Sequence, residues 1–177
     1  MLKDQTVRVV GAMSGTSLDG VDAAEIVTDG HVILEFGESA FHSYTDAQRD
    51  VFKSALGKWH DDDIADVSEL VETVHAQILS QFSQADWVAF HGQTLAHDPR
   101  GRGTHQAGDG AVLAEVLGKT VVWDFRSADV QMGGGRAACA VLSFCIGQKD
   151  GRNRPHCDVE FGWRRESDVD RSKPAVP

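Results

Sequence analysis

Near the start of the chain, Met13-Ser14-Gly15-Thr16-Ser17-Leu18-Asp19-Gly20-Val21-Asp22 joins two apolar runs. The connection is longer and richer in small hydroxylated residues than a plain hairpin needs. Gly15 and Gly20 carry no Cβ, so the backbone there can take φ > 0 and approach a ligand closely. Successive N–H groups in such a turn form an anion-binding nest, to which Ser14, Thr16 and Ser17 add hydroxyl donors. Asp19 and Asp22 are the one or two carboxylates that Mg²⁺ accepts alongside phosphate oxygens. A bare surface hairpin accounts for the same composition, because Gly, Ser, Thr and Asp are what turns are made of.

Two further constellations carry chemical groups. His91-Gly92-Gln93-Thr94, with His97, stands just past a buried strand, Trp87-Val88-Ala89-Phe90. Open α/β sheets bind ligands at the carboxyl ends of their strands, which suits a site there. Histidines that merely cap the strand end are the alternative, and zinc on His91 and His97 lacks a third ligand nearby. Gln106-Ala107-Gly108-Asp109-Gly110 is followed by Asp124-Phe125-Arg126 and Asp129. Asp109 stands where a helix N-cap belongs, reason enough for its presence. Arg126 can grip a carboxylate or phosphate through two N–H groups, or it can pair with Asp124 or Asp129.

Several known motifs are excluded. Gly118-Lys119-Thr120 ends like a P-loop, but the glycine required five positions earlier is Leu113. Gly101-Arg102-Gly103 needs a glycine at Gln106 to be a dinucleotide fingerprint. Ser14 and Ser17 miss the G-x-S-x-G spacing of a hydrolase nucleophile. A serine hydrolase using one of them stays a rival class, as does a non-catalytic nucleotide-binding module.

The elements that must position these groups follow from periodicity. Val7–Met13, Val21–Val27 and Val32–Phe36 read as strands. Asp29-Gly30 signals a tight hairpin between the last two, so a three-stranded antiparallel meander is expected. Thr45 with Gln48 makes a capping box, predicting a helix over Thr45–Leu56 with Val51, Phe52, Ala55 and Leu56 on its apolar face. A longer helix spans about Asp63 to Phe82. A helix over Gly110–Leu117 leads to a second buried strand, Thr120–Trp123. Meander first, then alternating helix and strand, predicts an α/β fold with a mixed sheet.

The 177 residues, 41% of them hydrophobic, can bury a real core, while the net charge of −10 argues against nucleic-acid binding. No apolar run approaches the roughly 20 residues of a membrane span. The polar start, Met1 to Gln5, is unlike a signal peptide. Cys139, Cys145 and Cys157 form neither a metal motif nor a disulfide framework, so a reducing cytoplasm is expected. The character of the chain changes near Gly134. Residues 1–134 hold 9 basic and 21 acidic side chains and one proline; residues 135–177 hold 8 basic, 6 acidic and three prolines. That shift in sign, pattern and proline content marks a boundary.

Taken together, Gly11 to Asp22, His91-Gly92-Gln93-Thr94, Gly108-Asp109-Gly110 and Asp124-Phe125-Arg126-Ser127 closely resemble the anhydro-N-acetylmuramic acid kinase family, in order and spacing from about residue 7 to Gly134. The resemblance implies an actin-like sugar-kinase fold of two domains, with residues 1–134 as most of the first and the second domain missing. It implies ATP- and Mg²⁺-dependent phosphorylation of 1,6-anhydro-N-acetylmuramic acid with opening of the anhydro bridge. The product is N-acetylmuramic acid 6-phosphate, in cell-wall recycling. Gly15, Thr16, Ser17, Leu18, Asp19, Gly20, Val21 and Asp22 would form the phosphate loop, Asp19 and Asp22 facing Mg²⁺. His91, Gln93, Asp109, Asp124 and Arg126 would surround the sugar. Members are often homodimeric, and the partners expected here are the amino sugar and ATP, without nucleic acid or membrane.

One departure stands out. The family's general-base aspartate sits in an Asp-Thr-Gly-Pro motif that this sequence lacks. Read one base later through the genetic code, Val159 to Val169 allows Leu-Asn-Leu-Gly-Gly-Val-Gly-Asn-Leu-Thr-Trp, and Gly135 to Ser143 allows Gly-Ala-Pro-Leu-Ala-Pro-Phe-Phe-His. Both strings resemble the family's continuation. The expectation is a frameshift near Gly135, a poorly ordered out-of-frame tail over 135–177, and little activity from this chain alone.

Overall fold

A computed structural model of the chain describes residues 6–133. The expected out-of-frame tail lies outside the described residues. Six strands, β1 (Val7–Ser14), β2 (Gly20–Thr28), β3 (Ile33–Ser43), β4 (Trp87–Asp98), β5 (Gly103–Ala107) and β6 (Thr120–Trp123), form one sheet in the order β3-β2-β1-β4-β5, with β6 also on β4. Four helices accompany them: α1 (Asp46–Ala55), α2 (Ala65–Leu79), α3 (Gly110–Leu117) and α4 (Phe125–Gln131). The sheet is mixed as expected: β1–β2, β2–β3 and β4–β5 are antiparallel, whereas β4 runs parallel to β1 and to β6.

The central strands bury both faces, so their sequences are near-continuous apolar runs rather than alternating ones. Val9, Val10 and Ala12 of β1 and Val88, Ala89 and Phe90 of β4 are all buried. Helix α2 places Val67, Val71, Val74 and Ile78 in the main core with Phe52 and Ala55 of α1, as the three- and four-residue steps require. Thr45 caps α1 as expected: its Oγ1 accepts from Gln48 N at 3.2 Å and Gln48 Oε1 accepts from Thr45 N at 2.9 Å. Gly118, left-handed at φ 62°, ends α3. No helix of the described residues is long and apolar enough to cross a membrane.

Two expectations about elements are corrected. The β2–β3 turn is a four-residue loop, because Thr28 pairs with Ile33. The Asp29 carboxylate accepts from the N–H groups of His31 and Val32 at 2.8 and 2.9 Å, a side-chain-closed turn in place of the tight one. The strand expected to end at His91-Gly92 continues to Asp98. Gly92 takes φ +72° in mid-strand. Residues 87–90 pair with β1 and β6, and residues 93–98 pair with β5, a strand that periodicity did not reveal. A helix, α4, follows β6, an element that the sequence pattern did not reveal.

Candidate functional site

The connection between β1 and β2 comprises residues 15–19. Leu18 N donates to Gly15 O at 3.2 Å and closes a turn. The sequence suggested that Gly15 and Gly20 would supply left-handed backbone. Instead the positive φ belongs to Leu18, at 55°. A branched residue in that region is strained and persists only where its surroundings hold it. Here the Leu18 side chain is buried in the main core, which anchors the loop while Thr16, Ser17 and Asp19 remain exposed. Gly20 is required for space: a Cβ there would meet the His42 carbonyl at 2.2 Å and the Phe41 ring at 2.6 Å.

Charge is concentrated at the end of this loop. Asp19 Oδ1 accepts from Ser17 Oγ at 2.7 Å and from Gly20 N at 3.1 Å. Burial, and secondarily the negative charge of Asp19, raises the Asp22 carboxyl above its ordinary range. Two carboxylates that repel each other beside exposed hydroxyls match the donor set Mg²⁺ uses with phosphate oxygens. Among the described residues no group of three or more His, Cys, Asp or Glu gathers as an all-protein metal cage.

Strand β4 ties this loop to the second constellation. Gln93 is fully buried, and its Nε2 donates to Gly15 O and Thr94 O, both at 3.2 Å. Its Oε1 accepts from Ser14 Oγ, and Ser14 Oγ lies 2.7 Å from the Tyr44 hydroxyl. Ser14 is thus wholly buried and doubly bonded, which removes it as a hydrolase nucleophile.

His91 points to a separate polar centre. Its Nδ1 lies 3.0 Å from Gly92 O, so Nδ1 carries the proton and the Nε2 lone pair faces Arg126 Nη1 at 3.3 Å. Burial, opposed by the Gly92 bond and aided by Arg126, lowers His91 to about 4. Both ring nitrogens are engaged and a cation is adjacent, so His91 is no zinc ligand. Arg126 Nη1 also donates to Thr94 Oγ1 at 3.0 Å, and Thr94 Oγ1 accepts from Gln106 Nε2 at 2.6 Å.

Arg126 pairs with neither Asp124 nor Asp129; among the described residues it forms no salt bridge. It is only 6% exposed, its Nε has no hydrogen-bond partner among the described residues, and burial depresses its pKa, opposed by the charge of Asp129. A buried cation normally finds an anion, so this guanidinium has unused capacity for one. Asp124 is exposed and left-handed (φ 54°) at the start of α4 without capping it, so it does not join this network. Asp109 caps α3, accepting from Ala111 N at 2.7 Å, and its own N–H donates to Glu72 Oε1 at 2.9 Å. Register places Asp109 two residues beyond Ala107, the partner of Gln93.

The structure therefore joins Ser14, Gly15 and Gln93 in one network and His91, Thr94 and Arg126 in another, both on β4. Tyr44 and Glu72 were not singled out from the sequence. Tyr44 precedes the capping box, and nothing in its neighbours marks it.

A family model described as anhydro-N-acetylmuramic acid kinase matches residues 7–145, continuing past Gly134, where the resemblance had been drawn to end. The chain is 52% identical over 164 residues to the anhydro-N-acetylmuramic acid kinase of Cereibacter sphaeroides, covering 92% of this chain and 44% of that protein. It is 48% identical over 161 residues to the one from a Ruegeria species (90% and 43%) and 38% identical over 167 residues to that of Rhodospirillum rubrum (90% and 44%). It spans less than half the length of these relatives. The mixed sheet with its flanking helices is part of the family's actin-like sugar-kinase fold. With a family match over most of its length and half its residues shared with a named kinase, this chain belongs to the anhydro-N-acetylmuramic acid kinase family.

Proposed function

We propose that the β1–β2 loop holds the phosphates of Mg-ATP, and that the chain serves phosphorylation of 1,6-anhydro-N-acetylmuramic acid to N-acetylmuramic acid 6-phosphate. The observation that carries this reading is the loop itself. A core-anchored Leu18 in left-handed backbone presents exposed Thr16, Ser17 and Asp19 beside a second carboxylate, Asp22.

Thr16 is the hydroxyl donor for phosphate oxygens, Ser17 supports the loop by giving its hydroxyl proton to Asp19, and Asp19 and Asp22 are the carboxylates for the cation. Bound Mg²⁺ would neutralise charge that develops on the phosphoryl group. The protein's part is positioning. Asp19 is oriented by Ser17 and Gly20 N, and the Gly15 carbonyl is held back by Gln93. On the other side of β4, Arg126, with neutral His91 and Thr94, is suited to the carboxylate of a muramic acid, leaving its affinity for neutral sugars low. Gln93, within β4, pairs with Ala107, two residues before Asp109, so both flank this region. A soluble cytoplasmic setting agrees with this chemistry.

Titration calorimetry of the chain with Mg-ATP tests the nucleotide reading. Binding is expected, and Asp19→Asn with Thr16→Ala should weaken it at least about 30-fold, the loss of two polar contacts to a charged ligand. Unchanged affinity in that double variant refutes it. Because the Asp-Thr-Gly-Pro motif is absent from this sequence, ADP release with the anhydro sugar should stay near background while binding persists. Normal turnover would show that the base is supplied by a residue within this chain.

A further inference from the structure

We propose that Tyr44 is a positioning residue that clamps both ends of the nucleotide loop, a role that rests on the phosphate-loop reading above. Tyr44 immediately follows β3 and precedes the cap of α1, far in sequence from the loop it touches. Its backbone N–H donates to the Asp19 carbonyl at 3.0 Å, at the far end of the loop. Its hydroxyl lies 2.7 Å from Ser14 Oγ, at the near end.

The direction of the chain of bonds is determined by chemistry. Gln93 Oε1 is a carbonyl oxygen and can only accept, so the Ser14 proton goes to it. Ser14 Oγ therefore accepts from Tyr44, whose O–H is the first donor. The amide end of Gln93 then donates to Gly15 O at 3.2 Å. Tyr44, Ser14, Gln93 and Gly15 thus form a one-way relay in which every link sets the orientation of the next. Tyr44, Ser14 and Gln93 are each at most 2% exposed, so water does not compete for the two bonds among them, while the last link reaches the half-buried Gly15 at the surface. The Tyr44 ring packs on Phe52 with centroids 4.6 Å apart, which anchors the phenol in the core. Burial pushes the hydroxyl up to about 12, so it stays a donor throughout the physiological range.

The consequence for binding is preorganisation. Gly15 and Asp19 bracket the exposed Thr16 and Ser17, and fixing both brackets removes ordering cost when a phosphate arrives. Removing only the hydroxyl leaves the ring and the core contact, but it frees Ser14 to turn and loosens the hold of Gln93 on Gly15.

The test uses the full chain with Tyr44→Phe, read by Mg-ATP titration, thermal melting and amide hydrogen exchange of residues 15–19. Ile78→Val serves as the control, since it loosens the same main core from α2 and belongs neither to the Tyr44–Phe52 ring pair nor to the relay. The expected result for Tyr44→Phe is affinity weaker by about 10-fold, on the order of one buried hydrogen bond. Loop amides should exchange at least several-fold faster in the nucleotide-free protein, with little change in melting. Ile78→Val should lower the melting temperature while its Mg-ATP affinity stays near that of the wild type. If the wild type binds Mg-ATP and Tyr44→Phe binds within twofold of it, the clamp is overturned and the phosphate-loop reading stands. Equal losses of affinity in both variants also overturn it, because general loosening of the core would then explain the effect. A wild-type chain that does not bind Mg-ATP overturns the phosphate-loop reading and the clamp with it.

Discussion

Acidification should weaken this fold through His75, in the middle of α2. The side chain is fully buried, its Nδ1 donates to Val71 O at 2.7 Å, and its Nε2 has no hydrogen-bond partner among the described residues. The ring stands edge-on to Phe90 with centroids 5.0 Å apart. Burial lowers its pKa from 6.5 to about 4, so the folded protein keeps the imidazole neutral. The unfolded chain protonates at its ordinary value, near 6.5. As pH falls through the window from 6.5 to 4, the unfolded state gains a proton that the folded state refuses. The stability associated with neutral His75 is therefore complete above 6.5 and lost below it.

At about 1.4 kcal/mol per pH unit, the full loss is about 3 kcal/mol, and about 2 kcal/mol is gone by pH 5. His91 is lowered to about 4 for the same reason and acts in the same direction, so wild type alone does not isolate His75. His75→Leu does, because leucine has nearly the same volume, suits a helix and has no proton to take. Urea unfolding at pH 7.5, 6.5, 5.5 and 5.0, with m-values compared, reads the difference. Between pH 7.5 and 5.0 the variant should lose about 2 kcal/mol less than wild type. Parallel stability curves for the two proteins would refute the reasoning and place the acid response in other groups.

Two further substitutions probe the frame around the site. Gly92→Ala puts a Cβ 2.5 Å from the Ala107 carbonyl at φ +72°, and should cost about 2 to 3 kcal/mol in urea unfolding. A loss under about 0.5 kcal/mol would mean that β4 does not bend there. Thr45→Ala removes the α1 cap and should cost about 1 kcal/mol by the same measurement, with Thr45→Ser recovering most of it.

What the sequence alone determined is what local chemistry can encode. The meander strands, the Thr45 cap, the apolar face of α2, the Asp109 cap and the hydroxylated connection at 15–19 each depend on residues within a few positions of one another. Strand and helix periods and caps are readable at that range. The remaining features depend on neighbours that only the folded chain supplies. Leu18 takes left-handed backbone, against its own preference, where its side chain reaches the core. Gly92 turns β4 onto β5, whose Gly-Thr-His-Gln-Ala sequence shows no strand alternation. Arg126 faces His91, 35 positions away, rather than the nearby Asp124 or Asp129, because α4 aims it back at β4. Gln93 reaches Gly15 across 78 residues, and Tyr44 reaches Ser14 across 30. No period or spacing announces such pairs; they come from strand order and register, which bring distant side chains together once the sheet has formed.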